Sequence, residues 1–121
     1  MTSCRVTWHP VTGHPVTWHP VADLAEFEDG PLLAREAGGV ALALYRVDGA
    51  VYATQARCTH AGVLLTEGEI VEGYIECPAH YGLFEIATGR AQGGPVCRDL
   101  ATYPVRIDGT RIWVGVAPDA P

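Results

Sequence analysis

Cys58-Thr59-His60-Ala61-Gly62 and Cys77-Pro78-Ala79-His80-Tyr81-Gly82-Leu83-Phe84 are the two stretches that decide how this chain is read. The first opens C-x-H, the second C-x-x-H, and sixteen residues separate His60 from Cys77. Each stretch supplies one thiolate and one imidazole. A [2Fe–2S] cluster in which two His replace two Cys on one iron needs that donor set. Each Cys binds one iron and each His the other, so Cys and His must arrive in close pairs from two loops. A structural zinc site prefers like ligands together, as C-x2–4-C followed by H-x3–5-H. The mixed pairs favour iron–sulfur chemistry and leave a structural zinc module as the alternative. A single Cys-x-His arises by chance, and a buried Cys is commonly a small hydrophobe. Two such pairs in 121 residues, both flanked by Gly or Pro, make a motif.

The composition sets the outer limits. A chain of 121 residues has room for one domain and one principal core. Hydrophobic residues make up 48%, enough for a packed interior. The formal net charge of −6 argues against nucleic-acid binding, which wants a basic face, and suits attraction to basic partner surfaces. No apolar run approaches the roughly 18–20 residues of a membrane span, and no secretory signal is legible. The expectation is a cytoplasmic protein without membrane contacts. Cys4 and Cys97 stand outside the two pairs, and a reducing compartment keeps both as thiols. Cys97 reads as a small buried apolar side chain.

Outside the two motif stretches the chain alternates short strands with tight turns. Val6-Thr7-Trp8-His9-Pro10, Val11-Thr12-Gly13-His14-Pro15 and Val16-Thr17-Trp18-His19-Pro20 form a tandem repeat. Each Pro removes a donor and restrains the residue before it, so no helix forms there. Residues 1–15 read as an extended arm, and the last copy leads into Val21 and starts the first strand. Nothing holds the three repeat imidazoles together as a metal site. One helical turn is expected at Asp23 to Phe27, then a short strand at Leu32–Arg35. Val40–Val47 and Val51–Ala56 flank Asp48-Gly49, a strong hairpin signal. Thr102–Ile107 and Arg111–Val116 flank Asp108-Gly109 in the same manner. Gly73–Glu76 and Leu83–Ala87 bracket the second motif, and Thr88-Gly89 turns the chain again. The pattern predicts an all-β antiparallel sandwich or small barrel. Residues 16–117 form the domain, about 57–98 an inserted cluster-binding subdomain, and 118–121 a tail.

The two motifs, with Gly93-Gly94-Pro95 downstream, resemble the Rieske ferredoxin family over about residues 16 to 117. The likeness is strongest to the small ferredoxin components of bacterial aromatic-ring-hydroxylating dioxygenases. Small subunits of NADH-dependent nitrite reductases share the layout and remain the second alternative. The resemblance implies the Rieske fold and one [2Fe–2S] cluster on Cys58, His60, Cys77 and His80. It also implies that the two His hold the iron nearer the surface, and that Gly93-Gly94-Pro95 is a third loop covering the cluster. The implied role is one-electron transfer from an NAD(P)H-dependent flavoprotein reductase to a terminal oxygenase, by a carrier with no turnover of its own. A carrier that visits two partners in turn is best served by being a monomer.

With two neutral imidazoles and two thiolates the oxidised cluster is neutral overall, so adding an electron is easier than with four thiolates. The range for such centres is roughly −150 to +300 mV. High-potential members carry an extra Cys in each loop, joined as a disulfide; the matching positions here are Val63 and Ala79. They also place a Ser and a Tyr to hydrogen-bond sulfur, where this chain has Gly82 and Phe84. Hydrogen bonds to sulfur stabilise the reduced state, so the resemblance implies a potential near the low end. Gly62, Gly82, Gly93 and Gly94 suit tight loops that need positive φ or close backbone approach. Tyr81 reads equally as a docking aromatic or as local packing. Glu67, Glu69, Glu72 and Glu76 read as a solvated face, or as an acidic surface for a basic site on a reductase.

Overall fold

The computed structural model describes residues 16–59, 62–79, 81–93 and 98–117. The expected arm at 1–15, the tail at 118–121, both His of the motifs, Gly94-Pro95, Cys4 and Cys97 lie outside them. In chain order the strands are β1 (Thr17–Asp23), β2 (Leu32–Ala37), β3 (Val40–Val47), β4 (Ala50–Gln55), β5 (Glu69–Val71), β6 (Tyr74–Glu76), β7 (Leu83–Glu85), β8 (Ala91–Gly93), β9 (Thr102–Tyr103), β10 (Val105–Asp108) and β11 (Arg111–Val116). Short 3-10 helices span Leu24–Asp29 and Leu65–Glu67. The strands form three antiparallel sheets, ordered β1-β11-β10, β2-β3-β4-β9 and β5-β6-β7-β8. The all-β expectation holds.

The second sheet is the middle layer, and β3 shows why. Its residues Leu42 to Tyr45 are all buried, which a one-faced strand would not need. Side chains alternate across a strand. Leu42 and Leu44 enter a core shared with Ile112, Val114 and Val116 of β11. Ala43 and Tyr45 enter a second core shared with Ile75 of β6 and Phe84 of β7. Each Leu so buried contributes about 1.5–3 kcal/mol. The third sheet therefore packs on the middle layer's far side.

Turn chemistry explains the connections, with two departures from the expected boundaries. Asp48 and Gly49 take φ of 51° and 83°, the double left-handed turn that closes β3 onto β4. In the last hairpin Asp108 pairs with Arg111, so the turn is Gly109-Thr110 and not Asp108-Gly109. Gly109, at φ 65°, takes the first turn position, where a glycine is required. The expected strand Thr102–Ile107 breaks at Pro104, which has no N–H to give a ladder. Before the break β9 pairs with β4; after it β10 pairs with β11. The chain thus changes sheets at a proline. The first strand begins at Thr17, inside the last repeat copy as expected, so Trp18-His19-Pro20 is strand. Pro20 is tolerated because β1 is an edge strand and its register shifts between Pro20 and Ala22. The Arg106 guanidinium lies 4.4 Å from the centroid of the Trp18 ring, a contact worth about 0.5–1 kcal/mol when exposed.

The helical turn after Asp23 is capped reciprocally. Ala25 N–H donates to the Asp23 carboxylate at 3.2 Å, and Asp23 N–H donates to that of Glu26 at 2.9 Å. The Asp23 amide and then Arg35 hold the Glu26 carboxyl below its ordinary range. Phe27 in this turn seals the first core.

Candidate metal centre

The second motif stretch connects β6 to β7 of the third sheet, the first lies between β4 and the Leu65–Glu67 turn, and the two fold in the same way. Cys58 N–H donates to the Val63 carbonyl at 2.9 Å, and the Cys58 carbonyl accepts from Gly62 N–H at 2.9 Å. Cys77 N–H donates to the Gly82 carbonyl at 2.8 Å, and the Cys77 carbonyl accepts from Tyr81 N–H at 2.9 Å. The residue before each Cys pairs with the residue six after it: Arg57 with Leu64, Glu76 with Leu83. The fifth residue of each loop is left-handed, Gly62 at φ 72° and Tyr81 at φ 62°. Two copies of one loop therefore each present a Cys at the start. The unequal spacings C-x-H and C-x-x-H conceal this twinning in the sequence.

Cys58 and Cys77 are 3% and 1% exposed and share the second core with Tyr45, Phe84 and Leu100. Of the four expected ligands, these two are described, and the fold brings both into one buried cluster. Two sulfur donors at the heads of twin loops, shielded from water, suit a soft iron centre. The described half of the donor set fits a [2Fe–2S] cluster. Gly82 is buried, Phe84 is fully buried and Val63 is half-buried, so neither Gly82 nor Phe84 offers a hydroxyl to sulfur.

The loops are tied down by side chains other than the expected ligands. Gln55, the last residue of β4, clasps the chain where it leaves the middle sheet and where it returns. Its Nε2 donates to the Arg57 carbonyl at 2.9 Å, its Oε1 accepts from Ala101 N–H at 2.9 Å, and its own N–H donates to the Ala101 carbonyl at 2.9 Å. Arg57 Nη1 donates to the Gly62 carbonyl at 2.7 Å and closes the first loop. Thr59 Oγ1 donates to the Arg98 carbonyl at 2.8 Å, and Asp99 accepts from Ala91 N–H at 2.9 Å. Nothing in the sequence marks these ties beyond the polar type of the residues, one of which, Thr59, lies inside the first motif.

Beneath the loops a buried polar pair crosses the middle sheet. The Tyr45 hydroxyl lies 2.7 Å from Thr54 Oγ1, and the Thr54 hydroxyl donates to the Gln55 carbonyl at 2.8 Å. Thr54 has one proton and gives it to Gln55, so Tyr45 is the donor to Thr54. Burial pushes the Tyr45 phenol up to about 12, against a smaller lowering by the Thr54 bond.

The outer face of the third sheet is acidic. Glu69 and Val71, Tyr74 and Glu76, and Leu83 and Glu85 alternate with the inward Ile70, Ile75 and Phe84. From Cys58 to Gly89 there are five Glu and no Arg or Lys. Glu67, Glu69 and Glu72 are exposed and Glu76 is half-buried, the expected solvated face.

The model of the Rieske [2Fe–2S] domain matches residues 17–104. The chain belongs to the Rieske [2Fe–2S] family. Among curated Rieske relatives, the ferredoxin component of the naphthalene 1,2-dioxygenase system of Pseudomonas aeruginosa is 40% identical over 94 residues, 78% of this chain and 90% of that one. Among solved structures, the Sphingomonas yanoikuyae B1 ferredoxin superposes with a TM-score of 0.77 at 37% identity, covering 83% of this chain and 99% of its own. A chain from the complex of reduced oxygenase and oxidized ferredoxin in carbazole 1,9a-dioxygenase gives a TM-score of 0.74 at 31% identity, covering 81% and 92%. The Rieske assignment supplies the cofactor, one [2Fe–2S] cluster, and the fold. Among the described residues no helix is long and apolar enough to cross a membrane.

Proposed function

We propose that this chain is the electron-carrying ferredoxin of an aromatic-ring dioxygenase system. Cys58 and Cys77 hold one iron of its cluster, and His60 and His80 hold the other. A cluster so ligated takes up and releases one electron at a time. The chain's own task is to bury the sulfur ligands, keep water off them and fix the two loops. The twin loops with their buried Cys carry this reading, and the ferredoxin relatives favour it over a nitrite reductase subunit or a zinc module. The electron arrives from an NAD(P)H-dependent flavoprotein reductase and leaves to a terminal oxygenase. The protein works as a cytoplasmic monomer, in which residues 16–117 form the domain and 1–15 an appended arm.

Reconstitution tests the reading. The holoprotein is reduced, mixed anaerobically with the terminal oxygenase of the Pseudomonas aeruginosa naphthalene system, and followed by stopped-flow absorbance. Bimolecular reoxidation with release of the free ferredoxin is expected. A tight, non-dissociating association with a sirohaem-binding subunit instead, or bound zinc with no redox response, would overturn it.

A further inference from the structure

Tyr81 is 69% exposed and belongs to neither core cluster. Its φ of 62° is a conformation that side-chain-bearing residues rarely adopt. The equivalent position in the twin loop is Gly62, at φ 72°, where an added Cβ would meet none of the described residues within 4 Å. The backbone of this loop therefore asks for glycine, while the described residues leave room for a Cβ. The second loop carries a tyrosine there, and the ring joins neither core among the described residues. Packing against the described residues does not account for Tyr81. Its own loop carries no acid and no lysine or arginine: residues 77 to 84 include no Asp, Glu, Lys or Arg, and Pro78 and Ala79 are exposed. The other large exposed hydrophobics among the described residues, Val71 and Ile107, are 43% and 41% exposed.

We propose that Tyr81 anchors the docking of the electron acceptor, its ring entering an apolar hollow on the terminal oxygenase. The inference rests on the carrier reading above. The oxygenase is the chosen occupant because a structural neighbour of this chain was solved in complex with one. A rigid aromatic with two side-chain torsions loses little entropy on docking. Such anchors dominate interface energies, while contacts around them are nearly neutral. The acidic face steers encounter and is screened by salt; the Tyr81 contact is apolar and persists at high salt.

The test uses full-length holoprotein carrying Tyr81→Gly or Tyr81→Phe. The probes are the terminal oxygenases of the Pseudomonas aeruginosa naphthalene system and of carbazole 1,9a-dioxygenase. Reduced ferredoxin is titrated against each in stopped-flow, at low and high salt. Tyr81→Gly is expected to raise the half-saturating concentration about 10- to 30-fold at both salt levels, with the limiting rate and the cluster spectrum unchanged. Tyr81→Phe is expected to stay close to the parent. Equal half-saturation for the parent and Tyr81→Gly overturns the anchor and leaves the carrier reading standing. A parent that reduces neither oxygenase overturns both. Tyr81→Gly also removes the left-handed strain, so its visible absorbance should resist guanidinium at least as well as the parent's. Faster bleaching would assign Tyr81 to the loop's fold and overturn the proposal.

Discussion

Replacing Tyr45 by Phe and Thr54 by Val, singly and together, tests the account of the buried floor beneath the metal loops. Both side chains are 0% exposed. Their hydroxyls are 2.7 Å apart, and Thr54 passes its own proton to the Gln55 carbonyl. The two single substitutions are therefore not equivalent. Thr54→Val strands a buried phenol proton and deprives Gln55 of a donor, at a cost of about 1–3 kcal/mol. Tyr45→Phe removes the donor outright and leaves Thr54 with one proton still placed, at about 0.5–1.5 kcal/mol. The double variant strands no phenol, so its cost falls below the sum by about 1 kcal/mol. Unfolding that releases a metal centre is not a two-state equilibrium, so the readout is the rate at which visible absorbance is lost in guanidinium. With about 1.4 kcal/mol per tenfold, Thr54→Val bleaches roughly 5- to 150-fold faster if the bond is broken in the transition state. Tyr45→Phe costing more than Thr54→Val, or strict additivity in the double variant, would refute the donor assignment. The same pair sets an alkaline limit. The folded phenol, pushed up to about 12, keeps its proton to higher pH than the unfolded one. Its contribution is complete below about pH 10 and is lost as pH rises towards 12, at most about 3 kcal/mol. Tyr45→Phe should flatten that fall. Tyr103, raised by burial in the same direction, leaves a remainder.

Backbone contact predicts that Gly68→Ala and Gly89→Ala both destabilise strongly, because an added Cβ would sit 2.0 Å from the Glu76 carbonyl oxygen and 2.4 Å from that of Leu100. Gly39→Ala, at φ 82° with open space, should cost only about 1–2 kcal/mol; bleaching rates in guanidinium rank the three, and equal effects would contradict the steric argument. With no hydroxyl at Gly82 or Phe84 to bond sulfur, protein-film voltammetry should place the potential in the lower part of the roughly −150 to +300 mV range, and a value well above zero would refute it. Glu69 lies opposite Glu76 across β5 and β6. Glu69→Lys should therefore stabilise the sheet by a few tenths of a kcal/mol and slow reduction by the flavoprotein reductase at low salt. Unchanged rates and salt dependence would leave this face merely solvated.

The sequence is informative where local chemistry decides and silent where tertiary contacts do. Asp48-Gly49 specifies its hairpin because both turn residues must be left-handed. Asp108-Gly109 misleads by one residue because the cross-strand partner of Asp108, not its own preference, fixes the register. Trp18-His19-Pro20 opens the first strand as the repeat suggests, because an edge position and a bulge admit the proline. The buried run Leu42–Tyr45 carries the three-layer arrangement, but periodicity alone does not separate a strand buried on both faces from a short helical segment. At the metal centre the ligand types are legible and the loop twinning is not, since it lives in backbone bonds and in the shared left-handed turn of Gly62 and Tyr81. The Gln55 clasp has no signature, because its partners lie 2 and 46 residues away.

Electron paramagnetic resonance of the anaerobically purified protein, before and after dithionite, with iron, zinc and sulfide counted on the same sample, tests the central claim most directly. A Rieske centre gives silence before reduction, then a signal with the low average g of mixed His and Cys ligation, and about two irons per chain. An absent signal with zinc bound, or the higher average g of an all-Cys cluster, would contradict it.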